Sequence, residues 1–276
     1  MSQDRPDPVA ELERTVQELR RVRRAHLNLL QDLAAAKEAA EQANAELRRS
    51  NVELEQFAYV ASHDLREPLR MVTSFGLLLQ EHLGSSLDER GKQYLHFMVD
   101  GGTRMQSLVD DLLAYSRVGR SGRTPAWIDP AAAARGALLN LAAAIAETDA
   151  DVVVEPMPRA WADEALLRLA LQNLVGNAIK YRAEGVRPRV VIGGELLPGG
   201  TALWVRDNGI GIAPEHHERI FLLFQRLHGR GRYPGTGIGL ASVRKVVDIH
   251  GGRITVDSTL GEGASFTLFF PQEEAP

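Results

Sequence analysis

Cysteine is absent from the 276 residues, which excludes disulfides, thiolate catalysis and cysteine-ligated zinc. No apolar run approaches the length of a bilayer span, and the N-terminal Met1-Ser-Gln-Asp-Arg-Pro lacks the basic-then-apolar shape of a signal peptide. An excess of one charge is missing too: the formal net charge of −4 supplies no basic field that would make nucleic acid or an acidic membrane surface a default partner. No internal repeat is evident. These absences point to a cytoplasmic protein with no nucleic-acid partner and no membrane insertion. What is present is ordinary soluble composition, 44% hydrophobic and 25% charged, in a chain long enough for one medium domain plus a helical module.

From Val9 a heptad register runs unbroken. With Val9 at a, the a series reads Val9, Val16, Arg23, Leu30, Lys37, Asn44, Asn51, Ala58, Leu65, and the d series reads Leu12, Leu19, His26, Leu33, Ala40, Leu47, Leu54, Ala61. This pattern predicts a parallel dimeric coiled coil over 1–50, with polar a residues fixing register at some cost in stability. In the same register His63 falls at f, facing away from the seam. Pro68 lacks the N–H that would bond the carbonyl of Asp64, so a bend is expected just beyond the histidine. The pattern stops near Gly84-Ser-Ser. It restarts with Tyr94, Met98, Gly101, Met105, Leu108, Leu112 and Tyr115, a second helix able to pair back on the first. Residues 51–118 then form a helical hairpin, and two hairpins from two chains make a four-helix bundle and a homodimer.

Residues 119–126, with Gly119-Arg-Ser-Gly-Arg-Thr-Pro125, read as a linker. Over 127–273 helices and strands mix. Helices are predicted near 130–147, 163–182 and 237–250, with strands near 152–154, 189–197, 201–206, 253–257 and 265–270. Adjacent strands without intervening helices predict an α+β sandwich, one mixed and largely antiparallel sheet with helices on one face.

Four clusters of residues carry chemistry. His63 is a neutral imidazole at ordinary pH and a competent nitrogen nucleophile, and Asp64 beside it can orient or accept the other ring proton. Helical neighbours point about 100° apart, so that pairing depends on rotamers. Asn173 and Asn177 are i and i+4 on one helix face, with Lys180 and Tyr181 continuing along its edge. Amide oxygens suit a hard cation such as Mg²⁺, although a solvated pair of amides is the plainer alternative. Asp207-Asn-Gly209-Ile-Gly211 follows the apolar strand Ala202-Leu-Trp-Val-Arg, so its carboxylate can accept from an adenine amino group; taken alone it is also a common turn. Gly235-Thr236-Gly237-Ile-Gly239-Leu240 leads directly into a helix, whose N-terminal N–H groups can bind phosphate. Between the last two lies Phe221-Leu-Leu-Phe224-Gln-Arg226, two phenylalanines that read as an anchor, followed by a basic, Gly-rich stretch that reads as a lid. Neither glycine cluster forms a Walker A or dinucleotide fingerprint.

In this order the residues resemble the two-component sensor histidine kinases. His63-Asp-Leu-Arg-Glu-Pro-Leu looks like the H box, Asn173–Asn177 the N box, Asp207–Gly211 and Gly235–Gly239 the two glycine boxes, and Phe221–Phe224 the F box. The resemblance covers about residues 50–272 and is nearest to the kinase modules of phytochrome-type photoreceptors. It implies that His63 is the phosphoacceptor and Asp64 its acid/base partner, with ATP and Mg²⁺ as cofactors. Asn173 and Asn177 would hold the metal, Lys180 and Arg226 contact phosphates, Tyr181 lie against adenine and Asp207 read its amino group. Gly209, Gly211, Gly235, Thr236, Gly237, Gly239 and Leu240 would complete the nucleotide site. The implied partner is a response-regulator receiver domain.

Two departures stand out. The residue four after the phosphohistidine is often Thr or Asn in this family, where it positions the water that dephosphorylates the partner; here it is Glu67. Nothing before residue 50 reads as a sensor domain, so the chain is either a truncated module or receives its signal through the coil from a separate upstream sensor. The competing expectations are a module acting mainly as a response-regulator phosphatase and a non-catalytic nucleotide-binding dimeric scaffold.

Overall fold

The computed structural model describes residues 8–83, 86–119, 125–227, 233 and 235–272. They fall into two units, within Met1–Phe57 and Ala58–Pro276. The first unit is helix, the upstream part of α1 (Pro8–Leu83). Leu19, Leu30 and Leu33, at d, a and d of the heptad, are exposed on it. Among the described residues no helix is long and apolar enough to cross a membrane.

In the second unit the rest of α1 pairs with α2 (Glu89–Arg117), which starts where the Asp88 carboxylate accepts the Gly91 N–H at 2.7 Å. Helical assignment persists on both sides of Pro68. The row of α2 that is buried is Leu95, Gly102, Val109, Leu113 and Ser116, each one residue beyond a member of the expected seam. Tyr94, Met98 and Met105 are exposed instead. The reason is close approach at glycine: a Cβ on Gly102 would lie 2.6 Å from Thr73 Oγ1, and one on Gly76 of α1 would lie 2.8 Å from Val99 Cγ2. Arg66 clamps the pair by donating from Nε and Nη2 to Asp110 Oδ1, at 2.9 and 2.7 Å.

Of the expected linker, residues 120–124 lie outside the described residues, and Ala126 begins β1 (Ala126–Ile128). Asp129 then caps α3 (Pro130–Asn140), with Pro130 in the first turn where its missing N–H costs nothing. The single helix expected over 130–147 is broken at Leu141, with α4 (Ala142–Thr148) following. β2 (Asp151–Val154), β4 (Arg189–Leu197), β5 (Gly200–Asp207), β6 (Arg253–Ser258) and β7 (Ala264–Pro271) form a sheet of order β2-β4-β5-β7-β6. β2 and β4 are parallel and the other pairs antiparallel. A separate antiparallel pair joins β1 to β3 (Ala160–Ala162).

Period-two alternation sets the core. Val190, Ile192, Leu203, Val205, Phe266, Leu268 and Phe270 are buried with Ala133, Ala134 and Ala137 of α3, Leu171, Leu174 and Val175 of α5 (Glu164–Lys180), and Val243, Val246 and Val247 of α6 (Gly239–Ile249). Val118, just past α2, is 3% exposed and joins the same cluster. One histidine ties the two central helices together. His250 Nε2 accepts the Asp163 N–H at 2.9 Å, so Nδ1 carries the ring proton and donates it to Val246 O at 2.7 Å. The architecture is α+β, as expected.

Candidate nucleotide site

Asp163 starts α5 by accepting the N–H groups of Ala165 and Leu166, at 2.8 and 3.0 Å. The helix buries Leu167, Leu171, Leu174, Ala178 and Ile179, so the edge left over carries Asn173, Asn177 and Lys180, with Tyr181 as C-cap. Asn173 Nδ2 donates to Leu169 O at 3.0 Å, which turns Oδ1 toward Gly239. A Cβ on Gly239 would stand 2.8 Å from that oxygen. α6 has no side-chain N-cap. Its first turn therefore presents backbone donors to whatever lies beyond it.

β5 ends at Asp207, whose Oδ1 accepts N–H groups from Gly209 at 2.8 Å and Ala264 at 3.2 Å. Burial pushes this carboxyl above its ordinary range, and the two backbone bonds partly oppose that. Asn208 turns the other way and bridges Arg189 N and Arg187 O. Gly209 is confined by Tyr181 O, 2.6 Å from where its Cβ would be. Gly211 has φ +69° and abuts Thr259 O, so a side chain there is excluded twice over. Ser258 fastens this loop, accepting from Ile212 N at 2.9 Å and donating to Gly263 O at 2.6 Å.

Two adjoining cavities result. The first is lined by Asp207, Ile210, Gly211, Ile212, Arg226, Leu227, Ala264 and Phe266. The second is lined by Asn173, Lys180, Gly235, Thr236, Gly237, Gly239 and Asp111 of α2. Asn177, Tyr181, Ile220, Gln225 and Leu240 line both. One end is thus largely apolar around a buried carboxylate, and the other is amide- and glycine-rich with one lysine.

The expected site residues fall into two places. Asn173, Asn177, Lys180, Tyr181, Asp207, Gly211, Arg226, Gly235, Thr236, Gly237, Gly239 and Leu240 line the cavities, and Gly209 braces the loop behind Asp207. Asp64, on α1, lines neither; the side chain of His63, on the same helix, lies outside the described residues. Arg226 lines the Asp207 end, where Nη2 donates to Tyr233 O at 2.9 Å. The phenylalanine anchor is half of what the pattern suggested. Phe221 is buried edge-on to Phe266, with ring centroids 6.4 Å apart. Phe224 has φ +62° and is 56% exposed, because the backbone of Phe224 and Gln225 turns to pack behind Gly237.

Residues 162–274 match the family of histidine kinase-, DNA gyrase B- and HSP90-like ATPases, and residues 53–121 match the His Kinase A (phospho-acceptor) domain. The chain belongs to the sensor histidine kinases, as their catalytic module. It is 44% identical over 250 residues to cyanobacterial phytochrome A of Nostoc sp., covering 91% of this chain and 32% of that protein. To the phytochrome-like protein Cph1 of Synechocystis sp. it is 40% identical, covering 91% of this chain and 33% of that one. The kinase module therefore spans about a third of the length of these relatives. Full-length ShkA, solved in complex with AMPPNP, superposes with TM-score 0.57 at 28% identity, over 79% of this chain and 46% of that chain.

The kinase motifs gave no sign of Asp111. It sits on an exposed face of α2, yet its Oδ2 accepts the Thr236 hydroxyl at 2.6 Å at the amide- and glycine-rich end of the site. Lys245 of α6 lies against the same helix, 4.4 Å over the Tyr115 ring and 3.3 Å from Tyr115 O. A carboxylate beside this helix N-terminus repels incoming phosphate. Asp111→Asn keeps an acceptor for Thr236 and removes the charge. ADP and ATP are expected to bind this variant about three- to tenfold more tightly, and adenosine no differently. Calorimetric titration of the three ligands checks this, and equal gains for adenosine would refute the electrostatic account.

Proposed function

We propose that this chain is an ATP-dependent protein histidine kinase that phosphorylates itself on His63 and passes the phosphoryl group to an aspartate of a response-regulator receiver domain. The observation that carries the reading is the pair of joined cavities, with a buried carboxylate at one end and an uncapped helix N-terminus at the other. They stand on the same chain as an H-box helix. Adenine suits the Asp207 end, where apolar Ile210, Ile212 and Phe266 surround one strong acceptor. Phosphates suit Lys180 and the start of α6. The amide oxygens of Asn173 and Asn177 suit Mg²⁺, which takes oxygen ligands and would offset phosphate charge.

In the transfer, a His63 ring nitrogen uses its lone pair to form a P–N bond to the γ-phosphorus. The bond from that phosphorus to the β–γ bridging oxygen breaks, and its electrons leave with ADP. Asp64 accepts the proton from the other ring nitrogen. In the second step the P–N bond breaks as a receiver carboxylate forms its P–O bond, and the imidazole recovers its proton.

The hairpin exposes Met71, Phe75 and Leu79 on α1 and Tyr94, Met98 and Met105 on α2, an apolar surface that supports a homodimer built through this module. We place the module in the cytoplasm, downstream of a sensor whose signal enters along the heptad helix. Glu67 bears on the phosphatase alternative. Arg70 donates to it at 2.7 and 3.2 Å, and that bond and charge hold its carboxyl below the ordinary range. An ionised, paired carboxylate only accepts hydrogen bonds, so it lacks the donor of an amide or hydroxyl at that position.

The test is incubation with γ-labelled ATP and Mg²⁺. The expected result is protein-bound label that is lost in acid and retained in alkali, as a phosphoramidate requires. Acid-stable label, or none, would overturn the proposal.

A further inference from the structure

Tyr233, between Arg226 and the second glycine box in sequence, contacts different parts of the site. Its hydroxyl donates to Arg182 O, just past α5, at 3.0 Å. Its ring packs on that of Tyr181, with centroids 5.1 Å apart and planes tilted by 57°. Its carbonyl oxygen accepts from Arg226 Nη2 at 2.9 Å.

Tyr181 links these contacts to the cavities. Its backbone is already fixed: the N–H donates to Asn177 O and the carbonyl accepts from Ile210 N, both at 2.9 Å. The freedom left to it is side-chain rotation. The Tyr233 ring restricts that rotation, and the Lys180 ammonium packs on the same ring, 4.2 Å from its centroid. Tyr181 lines both cavities and Arg226 lines the first. One residue outside both cavity walls therefore holds an aromatic ring and a guanidinium that lie within them.

We infer that Tyr233 is a positioning residue for the nucleotide, fixing the Tyr181 ring and the Arg226 guanidinium in the orientation that receives a nucleoside phosphate. The inference rests on the reading of these cavities as the ATP site. It touches no reacting atom; its effect is preorganisation, which lowers the ordering cost of binding. The hydroxyl bond serves to anchor the ring, so the ring itself matters more than the oxygen.

The experiment measures ADP binding to the full chain by calorimetry for wild type, Tyr233→Phe, Tyr233→Ala, Tyr181→Ala and the Tyr181→Ala/Tyr233→Ala double variant, with thermal unfolding of each in the absence of nucleotide. Tyr233→Ala is expected to bind ADP about tenfold more weakly, and Tyr233→Phe to stay within about threefold of wild type because the ring contact survives. In the Tyr181→Ala background, Tyr233→Ala should add at most about twofold, since the ring it positions is gone. Unchanged ADP affinity in Tyr233→Ala would overturn the inference. So would full additivity with Tyr181→Ala, or a loss in Tyr233→Phe equal to that in Tyr233→Ala. Failure of wild type to bind ADP would overturn the functional reading together with this inference, and is seen before any substitution is made.

Discussion

His63→Gln is expected to reduce self-labelling from γ-labelled ATP to background while leaving ADP affinity within about twofold of wild type. The two halves of this result rest on different observations. Glutamine is a good helix former of similar reach, so α1 has no reason to change; it lacks a nitrogen lone pair that could attack phosphorus, so no phosphoramidate can form. Binding should survive because the cavities are walled by α5, the Asp207 and Phe221–Arg226 segments, the start of α6 and Asp111 of α2, and among the described residues α1 contributes no wall residue. Hairpin geometry should survive as well, since the Arg66–Asp110 clamp and the Gly76 and Gly102 contacts lie further along the helices. Gel autoradiography with a parallel ADP titration separates the outcomes. Residual acid-labile label would mean that another residue accepts phosphate. A collapse of ADP binding would mean that the acceptor helix and the nucleotide pocket are one site.

The parts of this molecule that could be read from sequence are those whose signal is periodic or dense. β7 alternates along all eight residues, β4 and β5 carry dense apolar runs, and α5 and α6 carry apolar faces flanked by chemistry-bearing edges, so their types were legible. The strands β1 and β3 have three residues each, less than two periods, and only their pairing with each other defines them. The break at Leu141 falls inside an alanine-rich run whose local propensity favours continuing the helix. On α2 the two candidate apolar rows are one residue apart. What chooses between them is where glycine lets the helices approach, a property of the pair and not of either sequence alone.

The site divides in the same way. Asn177, Asp207 and the second glycine cluster stand together around the cavities because each motif marks an element end, where side chains and backbone donors face outward. Phe221 and Phe224 look alike in sequence, yet a left-handed backbone at Phe224 sends it to solvent. Asp111 and Ser258 had no motif to announce them, and Tyr233, at the edge of the second glycine box, carried no role in its motif. A charged residue on an exposed helix face, a tyrosine near glycines and a serine at a strand end are each common, and only tertiary placement gives them partners.

Asp207→Asn is expected to weaken ADP binding by about thirty- to a hundredfold and to shift preference toward the inosine nucleotide, which carries a 6-keto group in place of the 6-amino group. The backbone makes this change more than the loss of a charge. Gly209 and Ala264 both donate to Oδ1, so an amide at this position must keep its oxygen there and turn its NH₂ toward the cavity. Two donors would then face each other across the adenine amino group, whereas a 6-keto oxygen would be accepted. The wild-type pH dependence follows from the same geometry. Burial raises the Asp207 pKa, so this carboxylate takes up its proton at higher pH than ordinary aspartates do. Nucleotide affinity should fall as pH drops through that raised value, and binding should release a proton there, because the bound amino group favours the ionised form. Stability of the ligand-free protein moves oppositely. With the folded pKa above the unfolded one, the contribution of Asp207 is fully present below the unfolded pKa and is lost as pH rises through the folded pKa. Calorimetry of ADP and IDP binding in buffers of different ionisation enthalpy, paired with unfolding curves across the acid range, reads both trends. In Asp207→Asn the Asp207 component of each trend should vanish; an acid-side loss of ADP affinity that persists unchanged in that variant would assign the titration to another group.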